Sequence, residues 1–117
     1  MLSRVIEWRN DKSEFERNQS PMKVVTLCGS MRFYREMQEI AIELETKQGY
    51  CVITPIGDAG APLSDEETES LGKAHYKKID LADAVYIVNI GGYIGKTVSE
   101  ELRYAKAHNK EVIFHET

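Results

Sequence analysis

Two adjacent glutamates, Glu100 and Glu101, follow the glycine-rich stretch Asn89-Ile90-Gly91-Gly92-Tyr93-Ile94-Gly95-Lys96-Thr97 and stand at the start of a helical pattern. Their neighbours give them different work. Thr97 and Glu100 have the spacing of a capping box, in which a hydroxyl and a carboxylate three residues on satisfy free backbone N–H groups at a helix start. Glu100 therefore has a structural task. Glu101 has none, and it falls beside Val98, Leu102 and Ala105, at the edge of the helix face that must be buried. A carboxylate against apolar surface is costly unless paired, so this position points to chemistry, with an ion pair to Arg32 as the bland alternative.

Two other segments offer polar groups at the ends of apolar runs. In Cys28-Gly29-Ser30-Met31-Arg32 the glycine permits close approach of a ligand, Ser30 is placed to cap a helix, and free N–H groups beside Arg32 favour a phosphate or sugar. A tight turn with a serine cap is the plainer reading. Residues 55–64 form a long loop with Gly57, Gly60 and two prolines, long enough to act as a lid. It ends in Ser64-Asp65-Glu66-Glu67, where Ser64 and Glu67 make a second capping box that accounts for the acidic cluster. Further on, His75 lies on an apolar helix face, where a satisfied core histidine is the default, and Asp80 and Asp83 have surface roles by default. Cys28 and Cys51 read as buried free thiols. The His and Cys residues are scattered without ligand spacing, so no metal site and no cofactor is expected.

These groups need elements to hold them. Residues 24–28, 50–54, 84–90 and 112–114 are continuous apolar runs without alternation, the pattern of strands covered on both faces in a parallel sheet. Between them lie helical stripes: Phe33, Met37, Ile40, Ala41 and Leu44; then Leu71, Ala74, His75, Lys78 and Ile79; then Val98, Leu102 and Ala105. Gly49 is placed to end the first helix. Strand and helix alternate, which predicts an α/β fold: a doubly wound, flavodoxin-like or Rossmann-like parallel sheet of four or five strands with helices on both faces. Ligands of such sheets bind beyond the carboxyl ends of the strands, where the three segments above fall. Residues 22–117 are expected to form this single domain. Residues 1–21 are a charged appendage, a short amphipathic helix or a disordered segment, and Pro21 marks the boundary.

The 117 residues suffice for one core, and 42% hydrophobic against 29% charged residues is an ordinary globular balance. A net charge of -4 disfavours a nucleic-acid polymer as partner, although backbone N–H groups can still hold a small anion. Without a continuous apolar stretch there is no expected export signal or membrane partner, and two unpaired cysteines fit a cytoplasmic location. The short sheet and the apolar groups of the appendage lead to an expected homodimer or larger homo-oligomer, whose partner subunit is expected to complete the pocket.

Taken in order, VVTLCGSMRF (24–33), HYKKIDLADAVYIVN (75–89) and SEELRYAKAHNKEV (99–112) resemble the nucleoside 2-deoxyribosyltransferase family and its relatives, the deoxynucleoside 5'-monophosphate N-glycosidases, over about residues 23–114. The resemblance implies cleavage or transfer of an N-glycosidic bond in a nucleoside or nucleoside 5'-monophosphate. It makes Glu101, the glutamate before the leucine, the nucleophile of a glycosyl-enzyme intermediate. Where relatives carry an aspartate that assists the leaving base, His75 stands here, with Asp80 as a nearby substitute. By the same resemblance Gly29, Ser30 and Arg32 line the sugar or phosphate end. Tyr93 is expected to stack on the base, and Cys28, Phe33, Gly91, Gly92 and Ser99 to complete the binding set. The third segment is also similar to the GGxGTxxE pattern of cytokinin-type nucleoside monophosphate phosphoribohydrolases, with one residue inserted. Two other classes stay open on the fold alone: a nucleotide-binding sensor without chemistry, and a flavodoxin-like FMN carrier.

Overall fold

In the computed structural model, which describes residues 22–117, each apolar run becomes a strand: β1 (Val24–Gly29), β2 (Cys51–Ile53), β3 (Ala84–Val88) and β4 (Glu111–Phe114). All are parallel, in the order β2-β1-β3-β4. The three connecting helices are α1 (Tyr34–Lys47), α2 (Asp65–Leu81) and α3 (Gly95–Ala107). The charged segment 1–21 lies outside the described residues.

Burial on both sheet faces explains the missing alternation. Val25 and Leu27 of β1 and Ala84, Tyr86 and Val88 of β3 pack against Met37, Ile40 and Leu44 of α1. The intervening Cys28, Val85 and Ile87 pack on the other side against Ile79 of α2 and Val98 and Ala105 of α3. This division of helices is what right-handed crossovers require when the chain steps one way from β1 to β2 and the other way from β2 to β3. Thr26 is the buried polar residue of β1, and its hydroxyl donates to the Lys78 carbonyl at 2.8 Å. The doubly wound parallel sheet with helices on both faces is thus the fold of the described residues. Among the described helices none is long and apolar enough to cross a membrane.

Local signals were of unequal value. The Ser64–Glu67 capping box forms, with both reciprocal hydrogen bonds present at 2.9 and 3.1 Å. The Thr97–Glu100 box does not, because α3 opens two residues earlier, at Gly95, with Ile94 in the cap position and no side-chain cap bond. Glu100 is left exposed with no capping task. The third apolar run is also shorter than its composition predicts: β3 stops at Val88, and residues Ile90–Gly92 form a 3-10 turn in which Gly91 and Gly92 take φ of +64° and +82°. These left-handed conformations are why glycines stand there. Glu116 braces the turn, accepting from the Gly91 N–H at 3.1 Å while its own N–H donates to the Asn89 side chain at 2.7 Å.

Gly29 has a packing reason of its own. A Cβ there would sit 2.9 Å from both Met37 Sδ and Val88 Cβ, so the glycine lets α1 close against β1 and β3. Gly72, inside α2, has nothing within 4 Å of such a Cβ. Gly29→Ala is therefore expected to destabilise the fold by about 1–3 kcal/mol through overpacking. Gly72→Ala is expected to add up to about 1 kcal/mol by raising helix propensity. Urea denaturation of both variants checks the pair, and equal effects at the two positions would refute the packing argument.

Candidate active site

The strand order reverses between β1 and β3, so the loops that leave their carboxyl ends run in opposite directions and open a crevice between them. A cavity of about 680 Å³ occupies this crevice. Its walls are Gly29 at the end of β1 with Ser30 and Met31 beyond it, residues 55–60 of the loop after β2, and residues 93–98 at the start of α3. His75 and Glu101 reach it from α2 and α3. The loop after β2 thus lies along the cavity, as its length led one to expect.

At the base, three side chains from three elements converge. Glu101, on α3, is 7% exposed; His75, on α2, is 7% exposed; Cys28, at the end of β1, is fully buried. His75 Nε2 lies 3.5 Å from Glu101 Oε1 and 3.5 Å from Cys28 Sγ. The Cys28 sulfur and a Glu101 carboxylate oxygen lie within 4.8 Å of each other. His75 Nδ1 is buried without a hydrogen-bond partner among the described residues. With Nε2 facing the carboxylate, the tautomer that carries its proton on Nε2 satisfies one contact and leaves the Nδ1 lone pair without a donor.

Burial sets the protonation of this group. It raises the Glu101 carboxyl to about 7, helped by repulsion from the adjacent Glu100 and opposed by the Cys28 thiol. Burial, together with the nearby charge of Lys78, lowers the His75 imidazole to about 4. Burial followed by the Glu101 charge pushes the Cys28 thiol well up. Between about pH 4 and 7 the Glu101–His75 pair therefore holds one proton, and it releases it near neutrality to leave a carboxylate beside a neutral imidazole. Such a group is a nucleophile or general base at neutral and higher pH, and a general acid below.

The remaining residues singled out by sequence are spread more widely. Ser30 lines the cavity, and its side chain caps the short 3-10 turn Met31–Phe33 by accepting from the Arg32 N–H at 3.3 Å. Tyr93 also lines it and is 41% exposed. Arg32 does not reach Glu101; its guanidinium stacks 4.0 Å over the Tyr93 ring, and Phe33 meets the same ring edge-on at 6.2 Å. These two hold Tyr93 from behind rather than lining the cavity. Gly91, Gly92 and Ser99 lie off the cavity wall as well. Asp80 is a correction: five residues beyond His75, it is exposed and accepts from the Tyr104 hydroxyl at 2.6 Å, which commits it to the α2–α3 packing. Cys51 is another, being exposed on the edge strand rather than buried. Sequence reasoning passed over Asp58, on the lid loop, and Lys96, in the first turn of α3, both on the wall. Lys96 was visible beside Gly95, in the same glycine-rich segment; nothing about Asp58 distinguished it within its loop.

No family model matches the chain, and no curated protein is significantly similar to it. Among solved structures it is similar to a conserved protein from Enterococcus faecalis V583, with a TM-score of 0.56 and 17% identity over 80% of this chain. The chain spans 62% of that protein's length. Likeness at this identity is a likeness of fold.

The raised Glu101 value carries a stability consequence. A folded-state pKa above that of the unfolded chain means a contribution fully present below about pH 4.5 and lost as pH rises through about 7. Glu101→Gln keeps the shape without the ionisation, so its stability relative to wild type is expected to grow between pH 5 and 8 by roughly 2–3 kcal/mol. Urea melts across that range, in chelator-treated buffer, measure the difference; a difference independent of pH would show that the carboxyl is not held neutral by burial.

Proposed function

We propose that the protein cleaves, or transfers across, the bond between a sugar and a nucleobase in a nucleoside or nucleoside 5'-monophosphate, with Glu101 as nucleophile. The observation that carries this reading is the buried Glu101 carboxylate at the base of the switch-point cavity, beside a histidine kept neutral. The resemblance of the segments around Cys28, His75 and Glu101 to nucleoside 2-deoxyribosyltransferases supports it.

In this mechanism a Glu101 oxygen attacks the anomeric carbon as the carbon–nitrogen bond breaks, and the bonding pair leaves with the base. Water or a second base then attacks the same carbon and releases Glu101. His75, with a pKa of about 4, is too weak a base to hold the proton that a leaving group needs near neutrality. Its role is to orient the carboxylate through Nε2. Asp58 is the other carboxyl of the cavity wall, but it accepts from the Gly60 N–H at 2.9 Å and braces the lid loop, so the leaving base takes its proton from water in the cavity. Tyr93, fixed from behind by Arg32, offers a stacking surface. Lys96, rather than Arg32, is the cation on the wall that suits a 5'-phosphate.

Single-turnover release of free base from nucleosides and their monophosphates tests the reading. Glu101→Gln is expected to lower the rate roughly a thousandfold or more with the fold intact. Wild type should lose activity below about pH 7, as Glu101 takes up its proton. Glu100→Gln should keep the maximal rate and move this acid limb to lower pH, because it removes the repulsion that raises Glu101. An active Glu101→Gln variant would refute the assignment, and a wild type that binds nucleotides without releasing base would make the protein a sensor.

For the phosphate, Lys96→Ala should weaken a monophosphate far more than its parent nucleoside, with Arg32→Ala affecting both alike through Tyr93. Calorimetric titration with each ligand separates these outcomes, and equal losses with Lys96→Ala would remove the phosphate from that position.

A further inference from the structure

We propose that Cys28 Sγ, His75 Nε2 and the Glu101 carboxylate form a binding site for one thiophilic divalent metal ion of the zinc class, with its fourth coordination position open to the cavity. No local pattern marks the site, because the three residues lie 47 and 26 positions apart and only the fold gathers them.

The geometry is the argument. The three donor atoms all lie within 4.8 Å of one another, and two of the separations are 3.5 Å. Around a tetrahedral ion with a sulfur at about 2.3 Å and nitrogen and oxygen at about 2.0–2.2 Å, neighbouring donors stand roughly 3.3–3.6 Å apart. Those two edges of the tetrahedron therefore exist already, and the third needs only side-chain adjustment. As hydrogen bonds the same contacts are long, and three buried polar groups meeting mainly through long contacts are under-satisfied. An ion would supply what they lack. The donor types settle its class: a thiolate with an imidazole and one carboxylate suits zinc and its neighbours, whereas magnesium and calcium take sets of oxygen ligands. Three protein ligands, two of them on the cavity wall, leave the fourth position for water or a ligand, the pattern of open rather than closed zinc sites. On binding, the thiol gives its proton to solvent and sulfur becomes an anionic ligand.

One consequence rests on the function proposed above. An ion held by Glu101 occupies the oxygen that must attack the anomeric carbon, so metal occupancy and base release exclude each other, and zinc acts as an inhibitor from inside the site.

The test uses the whole chain, stripped with chelator and titrated with cobalt(II) and with zinc. Expected are one ion per chain, a thiolate-to-cobalt charge-transfer band that persists in Cys51→Ser, and a rise in melting temperature with zinc. Cys28→Ser and His75→Gln should each weaken binding at least about tenfold. Cobalt binding without the thiolate band, loss of the band in Cys51→Ser, or unchanged affinity in Cys28→Ser overturns the site. Should the Cys28 and His75 variants not fold, the spectra of wild type and Cys51→Ser decide alone. Zinc should also abolish base release by the stripped protein. If the stripped protein releases no base while the cobalt band is present, the functional reading fails and the metal site stands; if base release proceeds at full rate with zinc bound through Cys28, the carboxylate is not a ligand and the three-donor site is wrong.

Discussion

The contact between Glu101 and His75, made almost out of reach of water, governs how the rest of the chain must be arranged. A carboxylate in that position resists ionisation because burial removes its hydration, and the exposed Glu100 next to it adds repulsion. The partners that would ease the cost are deliberately weak ones: an imidazole at 3.5 Å that burial keeps uncharged, and a thiol. A strong ion pair with arginine would have stabilised the carboxylate and made it inert. Arg32, the expected ion-pair partner, is drawn away onto the face of Tyr93 instead.

Holding a costly carboxylate in place requires a rigid frame, and the frame is the parallel sheet. Cys28 stands at the end of β1, fully buried, where the backbone continues into Gly29 and the cavity wall. Because α2 and α3 pack on the same sheet face, they can bring His75 and Glu101 to this strand end from either side. Helix α1, on the opposite face, fixes the height of β1 through Met37 against Gly29. The core and the candidate site are therefore one structure, with Cys28 a member of both.

The fold was legible because its signals are repetitive. Four uninterrupted apolar runs and three helical stripes can only be buried by a sheet covered on both sides, and the misjudged ends, such as residues 89 and 90 beyond β3, left the topology untouched. Glu101 was legible for a related reason, as a charge at the edge of an apolar stripe. What sequence did not give was anything decided by direction across space. Thr97 and Glu100 have the right spacing for a cap, yet the left-handed Gly95 starts the helix ahead of them. Arg32 has the right charge and the right loop, yet an aromatic ring claims it. Asp80 follows His75 by five residues, which rotates it well off the His75 face of a helix with 3.6 residues per turn, toward Tyr104. The gathering of Cys28, His75 and Glu101 has no local signal at all.

Lys78 shows how far the site's chemistry is built into ordinary structural contacts. It lies one helical turn beyond His75, and its positive charge adds to burial in keeping that imidazole neutral. The same ammonium group donates to the Thr54 carbonyl at 3.1 Å, just past the end of β2, where the lid loop departs. Its backbone carbonyl accepts from Thr26 in the middle of β1. One residue thus ties α2 to both neighbouring strands, anchors the loop that borders the cavity, and disfavours an imidazolium. Were His75 to become charged, it would form a true ion pair with Glu101 and draw the carboxyl pKa down. The charge of Lys78, held in place by contacts that stabilise the fold, opposes that state, so the raised pKa of Glu101 is maintained by the same bonds that dock α2 on the sheet.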